Sequence, residues 1–308
     1  KRKKGVGLET EPPFKKFVTI MQGCNNFCTY CVVPYTRGRE TSRSPEDIVA
    51  EISHLAEQGV KEVTLLGQNV NSYGKVSGGE LQYIPFPELL KKVSAIDGIE
   101  RVRFTTSHPK DLSAELIECF AGIEKLCPHF HLPVQSGSNH ILKMMNRKYT
   151  IEQYLKKIES LQKVRQDIAL TTDIIVGFPG EKDEDFHATL KLLEKVRFHS
   201  AFSFKYSDRP QTRSIYFDHK VDEHIKTERL KILQERQNDI SLQRNREYEG
   251  SVQSVMVEGE SKNGDGQWSG RTITNIIVNF HAPALMPGQV VKVKITEGLL
   301  HSLRGIIV

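Results

Sequence analysis

The chain has 308 residues, 38 % of them hydrophobic and 26 % charged, with a formal net charge of +5 and a pI near 8.8. This length accommodates one large domain and one small one around a sizeable core, and no run approaches the roughly 20 apolar residues of a membrane-spanning helix. Five cysteines are too sparse, and odd in number, for a disulfide framework, and Lys1-Arg2-Lys3-Lys4 leads into Gly5-Val6-Gly7 and acidic residues rather than into the apolar core of a signal peptide. A reducing cytoplasm fits the free thiols, and the positive balance permits a nucleic-acid partner without demanding one.

Residues 1–16 read as a basic, Pro-containing linker or tail. A short apolar strand follows, Phe17-Val18-Thr19-Ile20-Met21, and directly after it come Cys24, Cys28 and Cys31 in a C-x3-C-x2-C spacing. Three thiolates this close make a metal site. Zinc usually takes four protein ligands, and a fourth from His129 or His131 has no support from spacing. An iron–sulfur cluster takes cysteine thiolates as its usual ligands, and three of them on a four-iron cube leave one iron open to a small chelating molecule. Arg37, Arg39 and Arg43 come next. From charge alone they read equally well as a grip on a polyanion or as a solvated loop paired with Glu40 and Glu46.

Ser44 and Pro45 start a helix as N-cap and first helical residue, Ile48, Ile52 and Leu55 share one face, Gly59 ends it, and a strand follows at 62–66. The rhythm recurs. Strands are expected at 101–105, 130–134, 168–176 and 201–206, and helices at 87–95, 114–120, 141–145, 151–164 and 183–196. Such alternation implies parallel strands with right-handed crossovers. Polar groups gather after the strands: Gln68-Asn69, Thr106-Ser107-His108, Gln135-Ser136-Gly137 and Gly177-Phe178-Pro179-Gly180-Glu181. They converge on one mouth in a barrel, so a partial (β/α)6 barrel over 17–220 is favoured over an open sheet. A helix over 221–247 connects it to 248–308, where strands at 252–257, 273–280, 290–295 and 302–308, broken by Gly, Pro and Asn, predict a small antiparallel β-barrel. Cys119 and Cys127 have no partner spacing and read as small buried hydrophobes.

The three cysteines with Tyr30 before the last, continued by Val32-Val33-Pro34-Tyr35-Thr36-Arg37-Gly38-Arg39-Glu40, resemble the radical S-adenosylmethionine (SAM) enzymes and, among them, the methylthiotransferases. Ser269-Gly270-Arg271-Thr272 and Ser302-Leu303-Arg304-Gly305 resemble the TRAM domain, a tRNA-binding module of that family. The resemblance implies an α/β fold with a partial radical SAM barrel and a TRAM-like barrel. It implies a 4Fe-4S cluster on Cys24, Cys28 and Cys31, and SAM held by residues from Tyr30, Gln68, Asn69, Ser107, Gln135, Ser136, Asp173, Gly177 and Phe178. SAM cleavage by one electron yields a radical that abstracts hydrogen, and the expected product carries a methylthio group on carbon 2 of N6-isopentenyladenosine at tRNA position 37. Partners implied are the tRNA anticodon stem-loop and an electron donor such as flavodoxin or ferredoxin, with a monomeric, cytoplasmic enzyme. The family also carries an N-terminal domain with three further cysteines and a second 4Fe-4S cluster, which this sequence lacks. Other readings are a sibling acting on threonylcarbamoyl-adenosine or a ribosomal protein, and a non-enzymatic, zinc-stabilised tRNA-binding module.

Overall fold

Short strands alternating with helices build the larger part of the chain. The computed structural model describes residues 13–75, 82–261 and 266–308, and the expected linker lies outside these up to residue 12. Six strands form there: β1 (Lys15–Thr19), β2 (Glu62–Leu66), β3 (Arg101–Phe104), β4 (His129–His131), β5 (Ala169–Val176) and β6 (Ser200–Lys205). All pair in parallel, in the orders β1-β2-β3 and β4-β5-β6. A parallel bridge between Val102 and Leu126, with the Cys127 N–H donating to the Val102 carbonyl at 3.0 Å, joins the two sheets. Among the described residues β1 and β6 each pair on one side only, which leaves the barrel open along that seam.

Alternate strand residues face opposite ways. Val18, Val63, Leu65, Val102, Phe104, Phe130, Leu170 and Ile174 point outward into one continuous core. The helices wrapped around them are α1 (Pro45–Glu57), α2 (Phe86–Ser94), α3 (Ala114–Gly122), α4 (Asn139–Met144), α5 (Ile151–Val164) and α6 (Asp183–Val196). Ser44 caps α1 by accepting from the Asp47 N–H at 3.1 Å. The residues between, Glu62, Thr64, Arg101, Arg103, His131, Thr171 and Asp173, face the lumen. A parallel strand buried on both faces is normally apolar throughout, so this polar inner row marks the lumen as more than filler. Cys119 and Cys127 are buried.

α7 (Glu223–Arg246) leads to a closed barrel of β7 (Val252–Glu260), β8 (Gln267–Arg271), β9 (Ile277–His281), β10 (Val290–Gly298) and β11 (Leu303–Ile307), in ring order β8-β9-β11-β10-β7. Four of its joints are antiparallel, as expected, and β9 runs parallel to β11. The strand expected from residue 273 begins four residues later, because Asn275 takes φ +71° in a turn where the Ile276 N–H donates to Thr272 Oγ1 at 3.1 Å. The additional strand, β8, is polar and contains Gly270, whose missing side chain matters: a Cβ there would lie 2.5 Å from the Met256 carbonyl oxygen.

The small barrel sits at the amino ends of β1–β3, opposite the mouth. Arg101 donates to the carbonyls of Arg271 (3.0 Å) and Ser254 (3.2 Å), and Arg103 to those of Ile273 (3.0 Å) and Thr272 (3.1 Å). Glu62 lies between the two guanidiniums, 3.2 Å from Arg103 Nε and 3.9 Å from Arg101 Nη1, and all three side chains are buried. Lys15 bridges Glu62 at 3.7 Å and Glu258 at 3.4 Å.

Candidate active site

The cysteine loop leaves β1 at the mouth and is fixed by hydrogen bonds to its own backbone from four directions. Gly23 takes φ +76° and packs so tightly on the returning chain that a Cβ would lie 2.1 Å from the Arg39 carbonyl oxygen. Its N–H donates to Gln68 Oε1 at 2.7 Å. The Cys24 N–H reaches the Gly38 carbonyl at 3.2 Å, and Asn25 and Glu40 bond reciprocally. On the far side the Thr29 N–H donates to the Met145 carbonyl at 3.1 Å, and Asn146 donates to the Phe27 carbonyl at 2.9 Å. The residues of the loop therefore need no regular secondary structure to be held.

Burial pushes the Cys24 thiol up to about 11 and raises that of Cys31. Cys24 feels both Cys28 and Cys31, and Cys31 feels Cys28, so the three sulfurs lie in one electrostatic neighbourhood. Cys28 is buried, with Arg147 Nη1 3.4 Å and His108 Nε2 4.0 Å from its sulfur. Burial, then the charges of Arg147, Lys110 and Lys157, lower the His108 pKa well below its usual range, so the imidazole stands neutral beside the thiol.

A cavity of about 650 Å³ opens beside Cys31, lined among others by Tyr30, Gln135, Asp173, Tyr206, Arg209 and Glu223. Three residues expected at the cofactor thus meet there: Tyr30, Gln135 and Asp173. Gln135 holds φ +74° four residues after β4, and Thr106 φ +67° after β3. Side-chain-bearing residues rarely sit in this region, and they do so mostly at functional sites. Asp173 pairs with His131 Nε2 at 3.4 Å, and His131 Nδ1 lies 3.0 Å from Thr171 Oγ1.

The other expected residues do not line this cavity. Gln68 braces Gly23, as above. Asn69 is buried and donates to Asp111 at 2.8 Å. Ser107 is buried with its hydroxyl unpartnered. Ser136 lies beneath the chain, its Oγ accepting from the Ser138 N–H at 3.2 Å. Gly177 donates its N–H to Glu181 at 2.8 Å, and Phe178 is fully buried behind Tyr30, their ring centroids 6.4 Å apart. Arg147, which no motif signalled, and His108, expected at the mouth among the polar residues after β3, touch a loop thiol instead. Of the arginines after the loop, Arg43 pairs with Glu51 at 2.7 Å, Arg39 lies over the Phe27 ring at 4.7 Å, and Arg37 is exposed.

The model of the radical SAM superfamily matches residues 18–193, and that of the TRAM domain residues 246–308. The tRNA-2-methylthio-N(6)-dimethylallyladenosine synthase of Desulfotalea psychrophila is 55 % identical over 308 residues, covering 98 % of this chain and 68 % of that protein. The protein of the same name from Syntrophobacter fumaroxidans is 57 % identical over 288 residues, 94 % of this chain and 62 % of its own length. The chain belongs to the radical SAM methylthiotransferase family. It spans about two thirds of the length of these curated relatives. Among solved structures, the radical SAM methyltransferase TsrM from Kitasatospora setae shares the fold, with a TM-score of 0.52 at 16 % identity over 81 % of this chain and 42 % of that one.

Radical SAM methylthiotransferases work with a 4Fe-4S cluster and SAM, and the donor set here fits both. Among the described residues no three His, Cys, Asp or Glu side chains are gathered to hold a single metal ion. A cube with iron at several corners draws on soft sulfur donors spread more widely than those of one ion, and the loop offers three sulfurs with a buried cation beside one of them. The adjoining cavity falls within the size of small-molecule sites, roughly 300–1,000 Å³, and mixes apolar walls with a few polar groups.

A second cavity, about 680 Å³, occupies the lumen between β4–β6, α7 and the 271–277 turn of the TRAM domain. His129 and His199 line it, and burial lowers both from 6.5 to about 3. Both are therefore neutral in the folded chain and free to protonate when unfolded. Above pH 6.5 neither state takes up the proton. Between about 6.5 and 3 the unfolded chain binds more protons, so stability falls as pH falls, by at most about 1.4 kcal/mol per unit per histidine, less to the extent that cavity water reaches the rings. The double variant His129→Gln/His199→Gln should unfold in urea with a visibly flatter pH dependence from 6.5 to 5. An unchanged slope would assign acid lability elsewhere.

Proposed function

We propose that this chain is the SAM-cleaving and RNA-facing part of a tRNA methylthiotransferase that acts on carbon 2 of N6-dimethylallyladenosine beside the anticodon. The observation that supports the proposal is the placement of Cys31 in the wall of the 650 Å³ cavity, with Cys24 and Cys28 in the same loop and in its electrostatic neighbourhood. On this reading Cys24, Cys28 and Cys31 hold the 4Fe-4S cluster, and the cavity takes SAM. When bound, the pair supplies one-electron cleavage of a carbon–sulfur bond. The chain's own residues orient and shield. Asp173, steadied by His131, and Gln135 offer acceptors to an amine and hydroxyls, Tyr30 closes one wall, and Phe178 stiffens it from behind. Gln68 and Asn69 act indirectly, through the backbone of the cysteine loop and the turn after β2.

The RNA assignment draws on the open seam. Its two lips carry solvent-exposed rings, Phe17 on β1 and Phe202 and Phe204 on β6. Register places Phe17 in line with Thr64, and Phe202 in line with Asp173, on the lumen side. Exposed aromatics at an open slot suit the splayed, unstacked base of a single-stranded loop. A second cluster and the sulfur source, an electron donor of the flavodoxin or ferredoxin type, a monomeric state and a cytoplasmic setting belong to the same proposal. No helix among the described residues is long and apolar enough to cross a membrane.

The test is anaerobic reconstitution with iron and sulfide, followed by dithionite and SAM. The wild-type chain should turn brown and release 5′-deoxyadenosine, and Cys28→Ala should lose both properties. Zinc in place of iron, or SAM left intact by a loaded cluster, would overturn the proposal.

A further inference from the structure

We propose that Arg147 is a built-in counterion of the iron–sulfur cluster: a positioning residue whose fixed charge stabilises the reduced cluster and eases delivery of the electron. The proposal rests on the reading of Cys28 as a cluster ligand.

Arg147 follows α4 in a loop, where an arginine would ordinarily reach solvent, yet it is only 4 % exposed. Each arm of its guanidinium is tied down. Nη2 donates to the Pro133 carbonyl at 2.7 Å, Nε to Tyr149 Oη at 3.2 Å, and Nη1 lies 3.4 Å from both Tyr30 Oη and Cys28 Sγ. The three other arginines of comparable burial all meet a carboxylate: Arg101 and Arg103 share Glu62, and Arg229 holds Glu181 at 2.8 Å. Among the described residues no carboxylate pairs with Arg147.

A guanidinium does not shed its proton in a protein, and an unpaired buried charge is costly. The one group in contact that becomes anionic on binding iron is the Cys28 sulfur. A thiolate-ligated cluster thus supplies the missing negative charge, and reduction adds one more electron next to a cation that cannot move away. Hydrogen bonds to the sulfurs, net charge and solvent exposure set the potentials of such clusters. Inside a protein of effective dielectric about 20, a unit charge a few ångströms off is felt well beyond a tenfold change in equilibrium.

The experiment is a mediated redox titration of the reconstituted 308-residue chain, followed by the electron paramagnetic resonance of the reduced cluster, for wild type, Arg147→Met and Arg147→Lys. At a fixed solution potential, Arg147→Met should hold at least a tenfold lower ratio of reduced to oxidised cluster, about 59 mV for a one-electron couple. Arg147→Lys, which keeps the charge, should shift less. A merely structural role would alter iron content and leave the potential where it was. A wild-type potential in Arg147→Met, or equal shifts in the two variants, overturns the proposal. Should Arg147→Met fold but take up no iron, restoration of uptake by Arg147→Lys supports it and failure to restore overturns it. A wild-type chain without an iron–sulfur chromophore overturns the cluster reading itself, and this inference with it.

Discussion

Glu62→Ala lowers the free energy of unfolding by about 3–5 kcal/mol, the usual consequence of leaving buried charge uncompensated. The carboxylate lies against Arg103 at 3.2 Å, Lys15 at 3.7 Å and Arg101 at 3.9 Å. Without it, the two guanidiniums remain together with carbonyl acceptors and no carboxylate among the described residues, and Lys15 keeps Glu258. The loss appears as a lower urea midpoint, and Glu62→Gln, which keeps the volume and one acceptor, falls between alanine and wild type. The triple exchange Glu62→Leu/Arg101→Met/Arg103→Met removes charges and counter-charge together and should recover much of the stability. A Glu62→Ala chain that unfolds at the wild-type midpoint would show that the carboxylate contributes nothing net.

Gly23→Ala is expected to empty the cysteine loop rather than unfold the barrel. The residue's φ of +76° alone costs a side chain roughly 1–3 kcal/mol, and its Cβ would collide with the Arg39 carbonyl oxygen at 2.1 Å. Relief requires the loop and the returning chain to part, which moves Cys24 one residue away. Iron per chain after reconstitution should fall roughly tenfold or more, since each 1.4 kcal/mol is a factor of ten, while circular dichroism stays close to wild type. Gly23→Asn separates the two causes. Asparagine tolerates the left-handed region, so equal damage from Asn and Ala identifies the collision, and milder damage from Asn identifies the backbone conformation.

Periodicity and punctuation made most of the architecture legible. The six lumen strands, their helices and the Ser44 cap follow from apolar spacing and from residues with one strong local preference. β8 was not legible because Gln267-Trp268-Ser269-Gly270-Arg271 carries almost no apolar alternation, and its place is set by close approach to β7. At the site, position after a strand foretold nearness to the mouth but not the direction of a side chain. Gln135 and Asp173 turn toward the cavity, whereas Gln68 and Asn69, equally well placed in sequence, turn away from it, Gln68 to the Gly23 N–H of the cysteine loop and Asn69 to the Asp111 carboxylate. Arg147 gave no signal at all. An arginine between two helices reads as solvated, and only the tertiary arrangement reveals that it has no carboxylate and lies against a thiol.

The buried arginine pair at the junction reads the C-terminal barrel through main chain alone. Arg101 and Arg103 grasp carbonyl oxygens of residues 254 and 271–273, and a carbonyl is chemically the same whatever side chain its residue bears. The C-terminal module can accordingly drift in sequence at these four positions without losing the arginines' grip, provided the turn keeps its shape. What must not alter is the arginine pair and the acid that steadies it.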